Sequence, residues 1–277
     1  KTSYGLDYNS GPGQGYSTRA YEATEGNTNP NSLGNSYFLN RNWVAFSTLN
    51  FKKSFGDHKV NALLGYEAKQ TYYECFNASG SELAFDNFNY RLLQNVNPAT
   101  FRMSSYRGEH NVVSQFFQTN YSYNDKYLVS ATVRRDGSSR FIENKYGIFP
   151  SASVGWRLSK ESFMDNVSFI SDLKLRASYG VLGNNEVGGD YPGFSNFSTG
   201  VDAANYSING ANNSTTTGFE QSSTGNPKLK WESTAVTNIG FDATLSGGWN
   251  VMVEWYKRDT RDMIYNVELP LELGAVG

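Results

Sequence analysis

The chain has 277 residues, a net charge of −2, one cysteine and two histidines. That balance gives no support for nucleic-acid binding, forbids an internal disulfide, and leaves Cys75, His58 and His110 too few and too far apart for a zinc site. No run of 18 apolar residues supplies a membrane-spanning helix, yet the low mean hydropathy does not exclude a membrane barrel, in which half of every strand faces water. The unusual quantity is the aromatic content of 15%, with 19 tyrosines, which suits interfacial aromatic belts joined by long polar loops.

In chain order, Lys1–Tyr8 reads as the tail of a strand, with Tyr4, Leu6 and Tyr8 on one face. Asn9–Asn40, rich in Gly, Asn, Ser and Thr, reads as a long loop. Its Gly11, Gly13 and Gly15 lack the strand and helix that a dinucleotide fingerprint needs. Arg41–Phe55 is a strand (Trp43, Ala45, Leu49 and Phe51 on one side), Gly56-Asp57 a tight hairpin turn and Lys59–Gln70 the returning strand. A second long loop is expected over Thr71–His110, then a strand over Asn111–Tyr123 and a turn at Asn124-Asp125. Within that loop Asp86, Asn87 and Asn89 lack the order of a calcium loop.

The clearest stretch is Lys126–Leu182. Side chains alternate across a strand with period two. In Lys126–Arg135 this sets Tyr127, Val129, Ala131 and Val133 against Lys126, Leu128, Ser130, Thr132 and Arg134. In Gly147–Ser159 it sets Ala152, Val154, Trp156 and Leu158 against Ser151, Ser153, Gly155 and Arg157. In Asp172–Val181 it sets Leu173, Leu175, Ala177 and Tyr179 against Lys174, Arg176, Ser178 and Gly180. Asp136–Tyr146 is a medium loop and Lys160–Ser171 a short connector. The longest loop, Leu182–Lys230, precedes strand Trp231–Leu245, a turn at Ser246-Gly247-Gly248 and strand Trp249–Arg258, after which Asp259–Gly277 begins another excursion.

A soluble sandwich and a membrane barrel share the alternation. The apolar rows tend to carry an aromatic at one end, and the opposite faces are small and cationic, as a wet lumen requires. A strand of about ten residues tilted at about 45° rises roughly 23 Å, close to the apolar band of an outer membrane. Long connections alternate with shorter ones, which fits long loops on one side of a membrane and tight turns on the other. The fold class read here is all-β, an antiparallel up-and-down transmembrane β-barrel. About nine strands are too few to close it, so residues 1–277 read as part of one barrel domain, and the missing leader says nothing about export.

Several segments carry a family resemblance. Tyr-Leu-Val-Ser-Ala-Thr-Val-Arg-Arg-Asp-Gly-Ser-Ser-Arg-Phe (127–141), Tyr-Gly-Ile-Phe-Pro-Ser-Ala-Ser-Val-Gly-Trp-Arg-Leu-Ser (146–159), Leu-Lys-Leu-Arg-Ala-Ser-Tyr-Gly-Val-Leu-Gly-Asn (173–184), Asn-Pro-Lys-Leu-Lys-Trp-Glu (226–232) and Tyr-Lys-Arg-Asp-Thr-Arg-Asp-Met-Ile-Tyr (256–265) occur in this order. Together they resemble the SusC/RagA family of TonB-dependent outer-membrane transporters; Lys1–His110 matches only in style. The resemblance implies a fragment of a barrel of about 22 strands around a plug domain, in the outer membrane of a Gram-negative bacterium. It implies import of oligosaccharides or peptides with a SusD-like lipoprotein lid and energy from the TonB complex, which would act through a segment not in this sequence. It implies no cofactor. The expected partners are that lipoprotein, TonB, outer-membrane lipid and the transported molecule, with no nucleic acid.

Arg134, Arg157 and Arg176 are candidates for a cationic lumen that contacts ligand or plug; the commoner alternative pairs each with a carboxylate on a neighbouring strand. Tyr191, Phe194, Phe197, Tyr206 and Phe219 are candidates for stacking on sugar rings or contacting a lid, against the alternative that they pack their own loop. Trp156, Trp249 and Trp255 suit an interfacial belt. Neither histidine lies in a nucleophile motif, so no catalytic residue is assigned. Two other readings are a surface glycan-binding β-protein without transport and, further off, a barrel enzyme.

Overall fold

The computed structural model describes residues 1–19, 30–199, 205–207 and 215–265, the backbone alone at 205–207 and 215–217. Nine strands form one antiparallel sheet whose spatial order is the chain order. They are β1 (Thr2–Ser17), β2 (Ser32–Phe55), β3 (His58–Ser81), β4 (Arg102–Tyr123), β5 (Tyr127–Ser138), β6 (Tyr146–Arg157), β7 (Ile170–Asn184), β12 (Glu232–Leu245) and β13 (Asn250–Arg261). Between β7 and β12 the chain makes two small hairpins: β8 (Asn196–Thr199) pairs with β11 (Phe219–Ser223), and β9 (Asn205–Ser207) with β10 (Thr215–Thr217). No α-helix occurs among the described residues.

All nine expected strands are present, but four are longer than the alternation reveals. β1 continues to Ser17, β2 begins at Ser32, β3 runs to Ser81 and β4 starts at Arg102. Much of the expected loops Asn9–Asn40 and Thr71–His110 is therefore sheet. The pattern fades there because a strand wetted on both faces has no reason to alternate in hydrophobicity, while its backbone ladder persists. Pro12 is tolerated within β1, the sheet's terminal strand, where one backbone edge has no ladder partner among the described residues.

The turns have mechanical causes. Asn124 and Asp125 both adopt positive φ (51° and 50°), the twist that a tight hairpin between right-twisted strands needs, and Asn and Asp bear it at low cost. Gly56 (φ 57°), Gly247 (φ 89°) and Gly248 (φ 86°) serve the other two turns. One expected contrast is reversed: the connection 158–169, expected to be short, is longer than the loop 139–145. It contains two single 3-10 turns, Leu158–Lys160 and Ser162–Met164.

The residues group into two compact units. The first is Lys1–Ser3, Phe46–Ala68 and Asn111–Gly277; the second is Tyr4–Ala45 and Lys69–His110. In the second, Leu33, Leu83 and Val96 form a small core covered by Tyr16 and Leu93. Buried Asn31 ties it together: its carboxamide accepts from Leu83 N (2.7 Å) and donates to Leu83 O (3.0 Å) and to Asp86. Asp86 also accepts from the Tyr16 hydroxyl (2.7 Å), and the Arg91 guanidinium lies 3.7 Å above the Tyr16 ring. The hydrogen bonds from Asn31 and then Tyr16 hold the Asp86 carboxyl below its usual pKa.

In the first unit the cross-strand register turns the alternation into rows. One apolar row reads Tyr121, Val129, Val154, Ala177, Ile239 and Trp255; the row nearer the turns reads Tyr123, Tyr127, Trp156, Leu175, Phe241 and Val253. Val154 and Ile239 are each 54% exposed, so this face carries apolar side chains that the chain itself does not cover. Tyr123, Tyr127 and Trp156 stack in sequence, with ring centroids 6.3 and 6.4 Å apart.

Candidate functional site

The polar face of the first unit is built from the alternate residues of the same strands. The register aligns Asn120, Ser130, Ser153, Ser178 and Asn238 in one row, and the Ser130 and Ser153 hydroxyls are 2.6 Å apart. With Lys59, Lys174 and Arg176 they line a hollow of about 670 Å³. Such a face is wetted, small-featured and rich in hydrogen-bond partners, so it can pass or hold a polar solute.

The three candidate arginines all sit on this face, each against a carboxylate. Arg134 Nε donates to Asp136 (2.8 Å), while its Nη2 donates to Ser114 (2.7 Å) and lies 3.5 Å from Glu67. Its guanidinium also covers the Phe116 ring at 5.3 Å; that ring lies so close to Gly65 that any Cβ there would clash. Arg157 pairs with Asp172 at 3.5 Å. Arg176 reaches Asp242 and Glu254, both at 3.3 Å, and Asn238 at 3.4 Å. Their positive charge is thus largely offset within the wall, and their first effect is to pin neighbouring strands.

At the loop end, a cluster that the alternation does not show fills the space between two connections of the first unit, 139–145 and 185–231. Phe141 is fully buried, Phe149 nearly so, and Trp231 packs against both rings at 5.5 and 5.4 Å. A Cβ at Gly183 would fall about 2.0 Å from the Phe149 ring, so only glycine admits the ring there. The Trp231 indole donates to Lys145 O (3.0 Å), Asn144 donates to Lys228 O (3.0 Å), and Asn226 N donates to Pro192 O (3.0 Å). Arg140 crosses the same junction, donating to Glu186 (2.9 Å) and Asn185 O (3.2 Å) and lying 3.6 Å from buried Asp190.

The candidate aromatics divide around this cluster. Tyr191, Phe194, Phe197 and Phe219 are all at least half exposed. Tyr191 O accepts from Phe194 N (3.1 Å), so those two flank a turn. Phe219 pairs with Thr199 and Gln221 with Phe197, which sets Phe197 and Phe219 diagonally on one face of the β8–β11 hairpin, within reach of a common flat ligand. Tyr206 lies in β9, but its side chain is outside the described residues. Neither Arg140 nor Trp231 was singled out as a candidate, since both lie where period-two patterning stops; Arg140-Phe141 does close the first family-like segment.

At the turn end, Glu161 in the connection 158–169 accepts from Trp156 Nε1 (2.8 Å), the Tyr127 hydroxyl (2.8 Å) and Lys126 Nζ (3.0 Å). These donors, Trp156 foremost, hold its carboxyl below the ordinary pKa. Trp255 lies one row above this ladder, and Trp249, just before β13, is highly exposed. Among the described residues, no group of three His, Cys, Asp or Glu side chains could hold a metal ion.

The family model described as "TonB dependent receptor-like, beta-barrel" matches residues 1–275. This chain belongs to that family of TonB-dependent receptor barrels. A TonB-dependent receptor of Formosa agariphila, P39, is 36% identical over 81% of this chain and 21% of its own length. TonB-dependent receptor SusC of Bacteroides thetaiotaomicron is 30% identical over 87% of this chain and 24% of its own. A solved structure of the RagAB peptide transporter superposes with a TM-score of 0.84 at 24% identity, covering 99% of this chain and 29% of that one. The chain therefore spans under a quarter of the curated relatives it matches, and the nine strands are an open sheet of a TonB-dependent receptor barrel. The family is one of transporters rather than enzymes.

Proposed function

We propose that this chain is part of the wall of an outer-membrane importer for oligosaccharides or peptides, which works with a SusD-like lipoprotein and draws energy from TonB. Family membership supports outer-membrane nutrient import, and the named relatives include SusC and a peptide transporter. The observation that carries the reading is the two-faced sheet: an uncovered apolar face backs directly onto a hydrogen-bonded polar face. Only a wall between lipid and a wet lumen gives both faces a suitable solvent. Arg134, Arg157 and Arg176 then face the lumen, and residues 1–277 form a partial barrel domain completed by strands and a plug outside this sequence.

The loops 82–101, 139–145 and 185–231 lie outside in this reading, and the exposed pairs Tyr191/Phe194 and Phe197/Phe219 meet ligand or lid. The test places single cysteines in the full-length protein on intact cells. A thiol reagent that cannot cross the outer membrane is expected to label Asn212→Cys and to miss Ser246→Cys. The reverse pattern overturns the orientation. Deleting residues 200–217, which spares Arg140, Asp190 and Trp231, is expected to leave the protein in the membrane while weakening lid capture or uptake.

A further inference from the structure

Arg134 and Arg135 are adjacent in sequence but lie on opposite faces, and their surroundings differ. Arg134, on the polar face, is held by Asp136, Ser114 and Glu67. Arg135, on the apolar face, is exposed and lies flat on the Tyr146 ring, 3.8 Å from its centroid. Its side chain also donates a 3.4 Å hydrogen bond to the Gln115 carboxamide. The second unit repeats the arrangement on its own terms. Exposed Arg41 sits 5.0 Å over the Tyr72 ring. There, unlike at Arg135, a carboxylate stands beside the same ring, because Glu74 accepts from the Tyr72 hydroxyl at 2.7 Å.

Depth gives this difference its meaning. Arg135 lies eight residues along β5 from Tyr127 of the turn-end ladder, a rise of roughly 19 Å at ~3.3 Å per residue and ~45° tilt. A guanidinium reaching a few ångströms further arrives at the far edge of an apolar band about 25 Å tall, where lipid phosphates begin. A cation at that edge without a carboxylate has its N–H fork free for an anion, and the aromatic ring fixes the plane of the fork.

We propose that Arg135, held on the Tyr146 ring, binds a phosphate group of an anionic lipid headgroup at the loop-side edge of the apolar face. Under the orientation proposed above, that edge is the outer leaflet and the lipid is its phosphorylated glycolipid.

The test uses the full-length protein, delipidated in detergent and titrated with bisphosphorylated lipid A, dephosphorylated lipid A and phosphatidylglycerol. Wild type is expected to bind lipid A about fivefold more tightly than its dephosphorylated form. Arg135→Gln is expected to weaken lipid A binding about fivefold, with Arg135→Lys intermediate. Equal affinity for phosphatidylglycerol with the same arginine dependence supports the phosphate site and assigns it to phospholipid. Undiminished lipid A binding by variants that keep the heat-modifiable folded band overturns the proposal. So does equal binding of dephosphorylated lipid A by wild type, which needs no variant to fold. Because the titration is done in detergent, it is independent of membrane orientation, and a failed cysteine-labelling pattern removes only the leaflet assignment.

Discussion

The strand rows near the turns and the loop-end cluster of the first unit handle apolar side chains in opposite ways. In the rows, Val129, Val154 and Ile239 are about half exposed, and no described residue covers them further. In the cluster, Phe141 is fully buried and Phe149 nearly so, with Trp231 between the loops they join. The first arrangement is stable only where the surroundings are themselves apolar; the second is what water demands. In the proposed setting the wall has lipid for its hydrophobic partner, whereas the loops must build a core of their own.

That contrast can be broken most forcefully at Phe141. Phe141→Ala leaves a cavity in the loop cluster worth about 3–5 kcal/mol. It is expected to open the loops to limited proteolysis at low protease while the sheet stays folded. Val154→Ala, by comparison, leaves no cavity inside the protein and should change detergent unfolding little. Comparable proteolysis of the two variants would erase the distinction between the regions.

Arginine substitutions sharpen the contrast by depth. Ala131, four residues from Tyr127 and paired with Ala152, rises about 9 Å above the ladder, near the middle of the band. Ala131→Arg is expected to cost about 2–4 kcal/mol of folded, inserted protein. Val154→Arg, one row nearer the turns, should cost less, and Ser153→Arg on the polar face least. Reversibility titrations or the fraction of heat-modifiable folded protein should rank the three in that order; a different order would refute the face assignment.

The smallest effect concerns the turn-end ladder. Glu161 has a folded pKa below its unfolded value, so its contribution is fully present above the ordinary carboxyl range and is lost as pH falls through the folded pKa. Emission from Trp156 is expected to shift on acidification below about pH 4.5, as the indole loses its acceptor. Glu161→Gln should show a shifted spectrum already at neutral pH and no acid transition; an acid transition that survives in this variant assigns the titration elsewhere.

How much of this was legible in the sequence follows the same division. Period-two patterning exists where one face of the sheet is apolar and the other polar, so the cores of all nine strands, the faces of Arg134, Arg157 and Arg176, and the turns at Gly56 and Asn124-Asp125 could be read directly. Beyond the apolar band the pattern has no physical cause, and the outer stretches of β1, β2, β3 and β4 read as loop. Asn31, Phe141 and Trp231 escaped notice because a loop core depends on contacts between distant segments, which local periodicity does not encode. Glu161 was hidden for a simpler reason: one carboxylate in a connector resembles any solvated charge until the donors Trp156, Tyr127 and Lys126 converge on it.

The identity of sheet order and chain order has a kinetic corollary. Each strand of this sheet pairs only with those next to it in sequence, so the wall can grow one hairpin at a time without waiting for a distant segment. The exception is the junction of β7 with β12, which must close across residues 185–231 rather than across a loop as small as 139–145. Between two and three doublings of loop length raise the closure cost by only about 1.7 kcal/mol. The β8–β11 hairpin draws Asn196 and Ser223 together within that span and shortens it further. A long surface excursion is therefore cheap to carry in assembly, which leaves its length open to change at little cost to the sheet.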